Sequence, residues 1–204
     1  MTHFRLTKET MINEAGVQLY RIELTEDCNW GKKGDKGGWV EKAENLVEDA
    51  WVSDNAQVYG DACVYGDARI YSNARVYNDA RVYGDAYVYG DSTVSGDACV
   101  YGNARVYGDA QVFGNARVYG NARVYDDAWD ASPLQIQGSK HFLNICKIGW
   151  LQIGCISKRI EEWITDFEMI GKSNSYTDLE INEYGMYIEL AKKINETYLI
   201  NKTK

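Results

Sequence analysis

Proline is almost absent from this chain: Pro133 stands alone among 204 residues, at the point where the character of the sequence changes, so it marks a boundary rather than a kink inside an element. Histidine is nearly as scarce. His3 and His141 are the only two, which leaves little for general-base chemistry or a histidine-bound metal. Cys28, Cys63, Cys99, Cys146 and Cys155 are odd in number and lack any C-x-x-C spacing, so neither a disulfide framework nor a zinc site is expected. No apolar run approaches the roughly 18 residues that cross a bilayer. Residues 1–24 carry charges throughout and show no signal-peptide stretch; with free thiols this predicts a cytoplasmic location. A basic excess is missing too. A net charge of −8 argues against direct nucleic-acid binding, which needs clustered Lys and Arg, and permits the reverse, an acidic imitation of nucleic acid.

One six-residue phrase is present in excess. From Asp61-Ala62-Cys63-Val64-Tyr65-Gly66 to Asn121-Ala122-Arg123-Val124-Tyr125-Asp126 it returns without an insertion. Such a unit cannot bury its apolar face alone, so stacking must make the core. Six is not a helical period, and the order small residue, variable residue, Val or Ile, Tyr, then Gly, Asp or Asn reads as a short strand and a turn. Val64, Ile70, Val76, Val82, Val88, Val94, Val100 and Val106 are predicted to point inward. Three hexads make a triangular coil, which places residue n over n+18 at about 4.8 Å. With Val40 and Leu46 extending the inward column, this gives about five coils and a prism about 24 Å long. Cys63 and Cys99 then share a column two coils apart, about 9.6 Å, too far to bridge.

The pairing of each inward aliphatic residue with a small one two places before it, as in Val58 with Ala56 and Val64 with Ala62, resembles the left-handed parallel β-helix of hexapeptide-repeat proteins. The fold class predicted is therefore mainly β: a left-handed parallel β-helix capped by an N-terminal hairpin and a C-terminal α+β module. The left hand is implied by the resemblance, since crossover connections in general favour the right.

Three regions follow: 1–36, an N-terminal β cap and leading loop; 37–130, the β-helix; and 131–204, a capping or oligomerising module. In the first, Phe4 to Thr7 and Val17 to Leu24 read as a hairpin lying across the first coil. Gly31-Lys32-Lys33-Gly34-Asp35-Lys36-Gly37-Gly38 has the composition of a phosphate loop but lacks the closing Gly-Lys-Ser/Thr, so it reads as a flexible loop. In the last, Leu134–Gln137, Phe142–Lys147 and Trp150–Ile156 read as strands. Ile160, Trp163, Ile164, Phe167 and Ile170 keep one helical face closed by Gly171. Thr177-Asp178-Leu179-Glu180 is a capping box opening a second helix, with Tyr184, Tyr187, Ile188 and Ala191 inward. Fraying is expected over residues 201–204.

Lys33-Gly34-Asp35-Lys36-Gly37-Gly38-Trp39-Val40-Glu41, then Glu44-Asn45-Leu46 and the hexads, resembles the opening of a family of bacteriophage and prophage proteins whose phrase runs Lys-Gly-Asp-Leu-Gly-Gly-Trp-Ile-Glu, then Glu-x-Asn-Leu; Lys36 stands where Leu is usual. Gly154-Cys155 followed by Arg159-Ile160-Glu161-Glu162-Trp163 is similar to that family's Gly-Cys and Leu-Glu-Glu-Phe. The resemblance implies a phage origin and no particular mechanism.

The best-known enzymes on the left-handed β-helix need a His base in a cleft between trimer subunits or three zinc-binding His. Neither histidine here lies in the coils, so no catalytic residue, metal or cofactor is expected, and His141 is the only conceivable base. The outward columns carry more. Tyr65, Tyr83, Tyr101 and Tyr119 are predicted to form one aromatic ladder and Tyr71, Tyr89, Tyr107 and Tyr125 a second, with Arg69, Arg105 and Arg123 alongside and Tyr87 intervening; Tyr59, Tyr77, Ser95 and Phe113 form a broken third. The break at Ser95 suggests a slot for one flat ligand, with Thr93 and Ser95 at its floor and Arg75 and Gln111 one coil to either side. The function expected is a non-catalytic binding protein that captures a host protein or a nucleotide-like molecule, in counter-defence on the phage reading, and that self-associates, a trimer being favoured. Alternatives are an acidic nucleic-acid mimic, using Asp61, Asp67, Asp79, Asp85, Asp91, Asp97 and Asp109, and an acyltransferase-like or scaffold protein.

Overall fold

The computed structural model describes residues 3–202. Its contacts divide the chain into two units, Met1–Asn121 with Tyr125–Ser132, and Ala122–Val124 with Pro133–Lys204.

In the first unit the hexads form a β-solenoid of about five turns, and residues eighteen apart are in register. Val58, Val76, Val94 and Val112 stack on one face. Val52, Ile70, Val88 and Val106 stack on the second, and Val64, Val82, Val100 and Val118 on the third. All of these are fully buried, as are the alanines two places before most of them. The one polar substitution in the alanine column, Ser92, donates its hydroxyl to the Tyr89 carbonyl at 2.9 Å, which is what a buried hydroxyl requires. The first face ends on Trp129, only 3% exposed, paired with Val112. A single indole there fills the end of a column that valine fills elsewhere.

The N-terminal strands Phe4–Ile12 and Gln18–Leu24 pair antiparallel, turning on Asn13, whose side chain accepts the N–H groups of Ala15 and Val17. The hairpin does not simply lie across the first coil. Gln18–Leu24 pairs antiparallel with Lys36–Val40, which pairs in parallel with Gln57–Val58, so it continues the first face as an added strand. Leu19, Ile22 and Leu24 are all buried, although strict alternation is broken between 19 and 22, next to a register shift between Arg21 and Glu23. Gly37 and Gly38 permit the join. A Cβ on Gly38 would stand 2.5 Å from Val52 Cγ1 and 2.8 Å from the Ala56 carbonyl.

The leading loop is held rather than flexible. Asp27 accepts the Lys33 N–H at 2.9 Å and Asp35 the Lys32 N–H at 2.8 Å. Past it, the corners of the first coil carry acids whose side chains reach the next coil: Glu41 accepts the Gly60 N–H at 2.7 Å, Glu48 that of Gly66 at 2.9 Å, and Asp54 that of Ser72 at 3.0 Å. Asn45, fully buried, donates to the Gly60 and Ala62 carbonyls. These bonds provide partners for backbone groups at the end of the stack, where a regular coil is missing.

The second unit holds an antiparallel sheet, Gln135–Gln137, Phe142–Lys147, Trp150–Ile153 and Ile156–Arg159, followed by helices α1 (Ile160–Ser173) and α2 (Asp178–Lys202). The apolar stretch from Trp150 to Ile156 is not one strand. Gly154, at φ 58°, turns it into a hairpin, because its left-handed backbone interrupts the pleat at little cost. The capping box forms as the sequence predicts: Glu180 accepts the Thr177 N–H at 2.7 Å and Thr177 Oγ1 that of Glu180 at 3.3 Å. Tyr184, Ile188 and Ala191 face inward from α2 and Ile160 and Trp163 from α1. Of the stretch expected to fray, residues 203–204 lie outside the described residues, and α2 runs to Lys202.

Candidate functional site

The aromatic ladders assemble in the register that the period dictates. Tyr65, Tyr83, Tyr101 and Tyr119 stack with centroid separations of 4.7, 4.9 and 5.5 Å, and Tyr71, Tyr89, Tyr107 and Tyr125 with 4.8, 5.2 and 5.2 Å. Most of these pairs are within a few degrees of parallel, so each ring hides a face of the next. The rings are half-buried, so the ladders present only part of their aromatic surface to solvent. Burial pushes the Tyr71 phenol up, with the Tyr89 phenol adding to it; burial and then the Tyr65 phenol do the same for Tyr83.

Beside the second ladder Arg69 and Arg105 flank Tyr87, at 5.2 and 5.4 Å from its centroid. Trp30, from the leading loop, also meets Arg69, its ring centroid 4.3 Å from the guanidinium. Nothing in the repeat predicts Trp30 here; only the folding back of the loop brings it in. Planar cations over aromatic faces are favourable contacts, and these guanidiniums are thereby engaged.

The break in the third ladder has a definite structure. Tyr59 and Tyr77 stack at 5.0 Å. Thr93 lies in register between Arg75 and Gln111. Ser95, however, is 8% exposed, so the floor of the gap is closed to solvent although no ring fills it. Arg75 is committed to Glu14 of the hairpin tip at 2.8 Å. Gln111 and Phe113 stay exposed. The six residues are thus brought to one face, around a floor little reached by solvent.

The corner columns place Asp61, Asp79 and Asp97 in exposed positions eighteen residues apart, with exposed Arg81 and Arg117 on the adjoining face. Lys42 pairs with Asp61 at 2.8 Å. Charge of both signs is therefore interleaved.

A small apolar pocket, open on one side, belongs to the second unit. It measures about 60 Å³ and lies between the sheet and the two helices, walled by Ile153, Trp163, Phe167, Ile170, Ile181 and Ile188. Trp163 is fixed there by donation of its indole N–H to the Leu151 carbonyl at 2.7 Å. His141, Cys155, Asn174 and Tyr176 stand at the rim, His141 and Cys155 exposed. Burial, with the Tyr184 phenol next, pushes Tyr176 up to about 12, which keeps it a neutral donor. The Tyr184 hydroxyl donates to the His141 carbonyl at 2.8 Å and accepts the His141 and Lys140 N–H groups at 2.5 and 3.1 Å, fixing the rim to α2. The sequence hints at this site only through helical periodicity, which cannot distinguish a filled core from a hollow one.

A second concavity, a groove of about 430 Å³, runs along the outside of α1 and α2 between Ile164, Phe167, Met186, Leu190 and Lys193. Gly185 opens it: a Cβ there would lie 3.0 Å from the Phe167 ring. Among the described residues no group of His, Cys, Asp and Glu could hold a metal ion, and no helix is long and apolar enough to cross a membrane.

Segments 56–72, 68–84, 80–96, 98–114, 110–126 and 116–130 match a family model described as YdcK Beta solenoid repeat. The matches cover about a third of the chain, all of it hexad array, so the similarity concerns how the coils are built. No curated protein matches the chain.

Proposed function

We propose that this chain is a non-catalytic binding protein in which the solenoid is a rigid, self-satisfied body and the C-terminal unit makes the recognition contact. One observation carries the reading. Among the described residues, the large apolar side chains left in solvent are mostly on the two helices, as Met169, Leu179, Met186, Leu190 and Leu199, with Ile12, Val47 and Phe113 in the first unit, whose tyrosine ladders cover one another. Exposed apolar surface of this kind marks a contact site. The resemblance to phage and prophage proteins makes a host factor the natural target, with counter-defence as the setting, and self-association as a trimer fits the same picture.

Native mass spectrometry and sedimentation of the full chain, purified from a bacterial host, test this. Wild type is compared with Met186→Lys/Leu190→Lys and with a ladder variant, Tyr83→Ser. A bound partner or higher oligomer lost in the helix variant and kept in the ladder variant supports the proposal. The opposite pattern, or a wild-type mass of one 23.1 kDa chain with nothing retained, overturns it.

A further inference from the structure

We infer that the cavity between the sheet and helices of the C-terminal unit is a binding site for a small uncharged molecule with an aromatic or short branched apolar body and one polar end. This deepens the preceding reading, since it places a ligand in the unit to which recognition is assigned.

The lining dictates the chemistry. Isoleucines and aromatic side chains form the walls, and the one polar atom of the Trp163 ring already serves Leu151. The apolar walls offer water no partners, and a water molecule needs two to four, so the inner part of the site holds water poorly. At about 60 Å³, against roughly 10–15 Å³ for each water-sized position, there is room for about four to six such groups. An apolar cavity that takes benzene measures about 150 Å³, so a six-membered ring enters this one in part and leaves its remainder at the open mouth; a nucleotide does not fit. At the rim, His141 and Asn174 offer hydrogen-bonding groups and Tyr176 a phenol that stays protonated. One hydroxyl or carbonyl on the ligand would meet these groups. A charge carried into the apolar part would lose its hydration without a partner.

Cys155 supplies an independent readout. Its thiol is exposed and lines the cavity mouth, so a molecule seated in the cavity shields it from alkylation, while Cys28, far from this unit in sequence, serves as the internal reference.

The test is a titration of the full-length protein with phenol. It is followed by the NMR signal of the Trp163 indole N–H and by the rate at which iodoacetamide modifies Cys155, read by peptide mass spectrometry. The expected result is a saturable shift with Kd on the order of 1 mM and at least about threefold slower alkylation of Cys155 at saturation, a factor set by occupancy above Kd, with Cys28 unchanged. Benzoate, of similar size but charged, should bind far more weakly. Ile170→Phe, which adds volume in the cavity, should abolish the shift while the circular dichroism spectrum is retained; if that variant does not fold, Cys155 protection in wild type decides alone. A linear, non-saturating shift with unprotected Cys155 overturns the inference. Were phenol to fail while Met186→Lys/Leu190→Lys still released a natural partner, only the cavity assignment would fall. Saturable phenol binding with no effect of the helix variant would remove the recognition reading instead.

Discussion

Asn144 grips Arg123 by both halves of its amide, Nδ2 donating to the Arg123 carbonyl at 2.7 Å and Oδ1 accepting the Arg123 N–H at 3.3 Å. The side chain offers this strand what a neighbouring peptide group would offer, and it does so at 1% exposure. Asn144→Leu would leave both backbone groups without these partners. The expected loss is roughly 2–3 kcal/mol, since an abandoned buried polar group costs more than a bond contributes. Urea unfolding checks this, and hydrogen exchange at the Arg123 amide should accelerate in parallel. An unchanged midpoint would mean that solvent replaces the amide freely.

Gly38 is fixed by space rather than by backbone conformation. Its Cβ position is occupied from two sides, by Val52 Cγ1 at 2.5 Å and the Ala56 carbonyl at 2.8 Å. One of these is backbone in the first coil and cannot swing away. Gly38→Ala is expected to cost about 3 kcal/mol, the upper range for an overpacked core, and to loosen the N-terminal strands first. Limited proteolysis with mapping of the cut sites is the measurement. Cleavage no faster than in wild type would show that the coil yields.

The solenoid was legible because its signal is redundant. Each hexad repeats the same physical instruction, and an error in reading Ser92 or Ser95 is outvoted by Val94 between them. The C-terminal unit is not repeated, and there the sequence pattern was only partly sufficient. The capping box at Thr177 and Glu180 is a local device and could be read locally. The hairpin at Gly154 was missed because one glycine in an apolar run looks like a tolerated irregularity. The cavity behind Trp163 was invisible for a deeper reason: inward-facing residues can be counted from a helical period, but whether they fill the space depends on the packing of two helices on a sheet. The gap at Ser95 shows a related limit: a missing ring is legible in the sequence, but how far solvent reaches the floor, where Ser95 is 8% exposed, is set by the surrounding side chains.

That gap yields its own prediction. The unbroken ladders hold rings 4.7–5.5 Å apart at successive coils, so the backbone at Ser95 has the spacing that a ring needs between Tyr77 and Phe113. Ser95 is nevertheless 8% exposed, and a ring must displace whatever now covers it. Ser95→Tyr is expected to stabilise the solenoid by about 0.5–1 kcal/mol, the worth of an aromatic pair beyond its area. Partner or ligand binding should be unchanged. Thermal unfolding checks the first part. A lower midpoint would mean that the covering groups cannot move aside, and loss of binding would return the slot to consideration.

Stability should fail at high pH, and the ladders set where. Burial raises the phenols of Tyr59, Tyr65, Tyr71 and Tyr83, helped by a neighbouring phenol at Tyr59, Tyr71 and Tyr83. In the C-terminal unit burial and Tyr184 take Tyr176 to about 12. A group whose folded pKa exceeds its unfolded value holds its proton more tightly in the folded state. Its contribution is complete below the unfolded value, near 10 for a phenol, and is lost as pH rises through the folded one. The melting temperature should therefore stay level as pH approaches about 10 and then fall steeply towards about 12. Phenolate absorbance should rise together with the loss of circular dichroism, because a tyrosinate within a stack would be desolvated beside its neighbour. Tyr176→Phe should remove part of the fall in the C-terminal unit and leave the solenoid's share intact. Phenolate appearing fully near pH 10, before any unfolding, would show that water already reaches these rings and that stacking does not protect them.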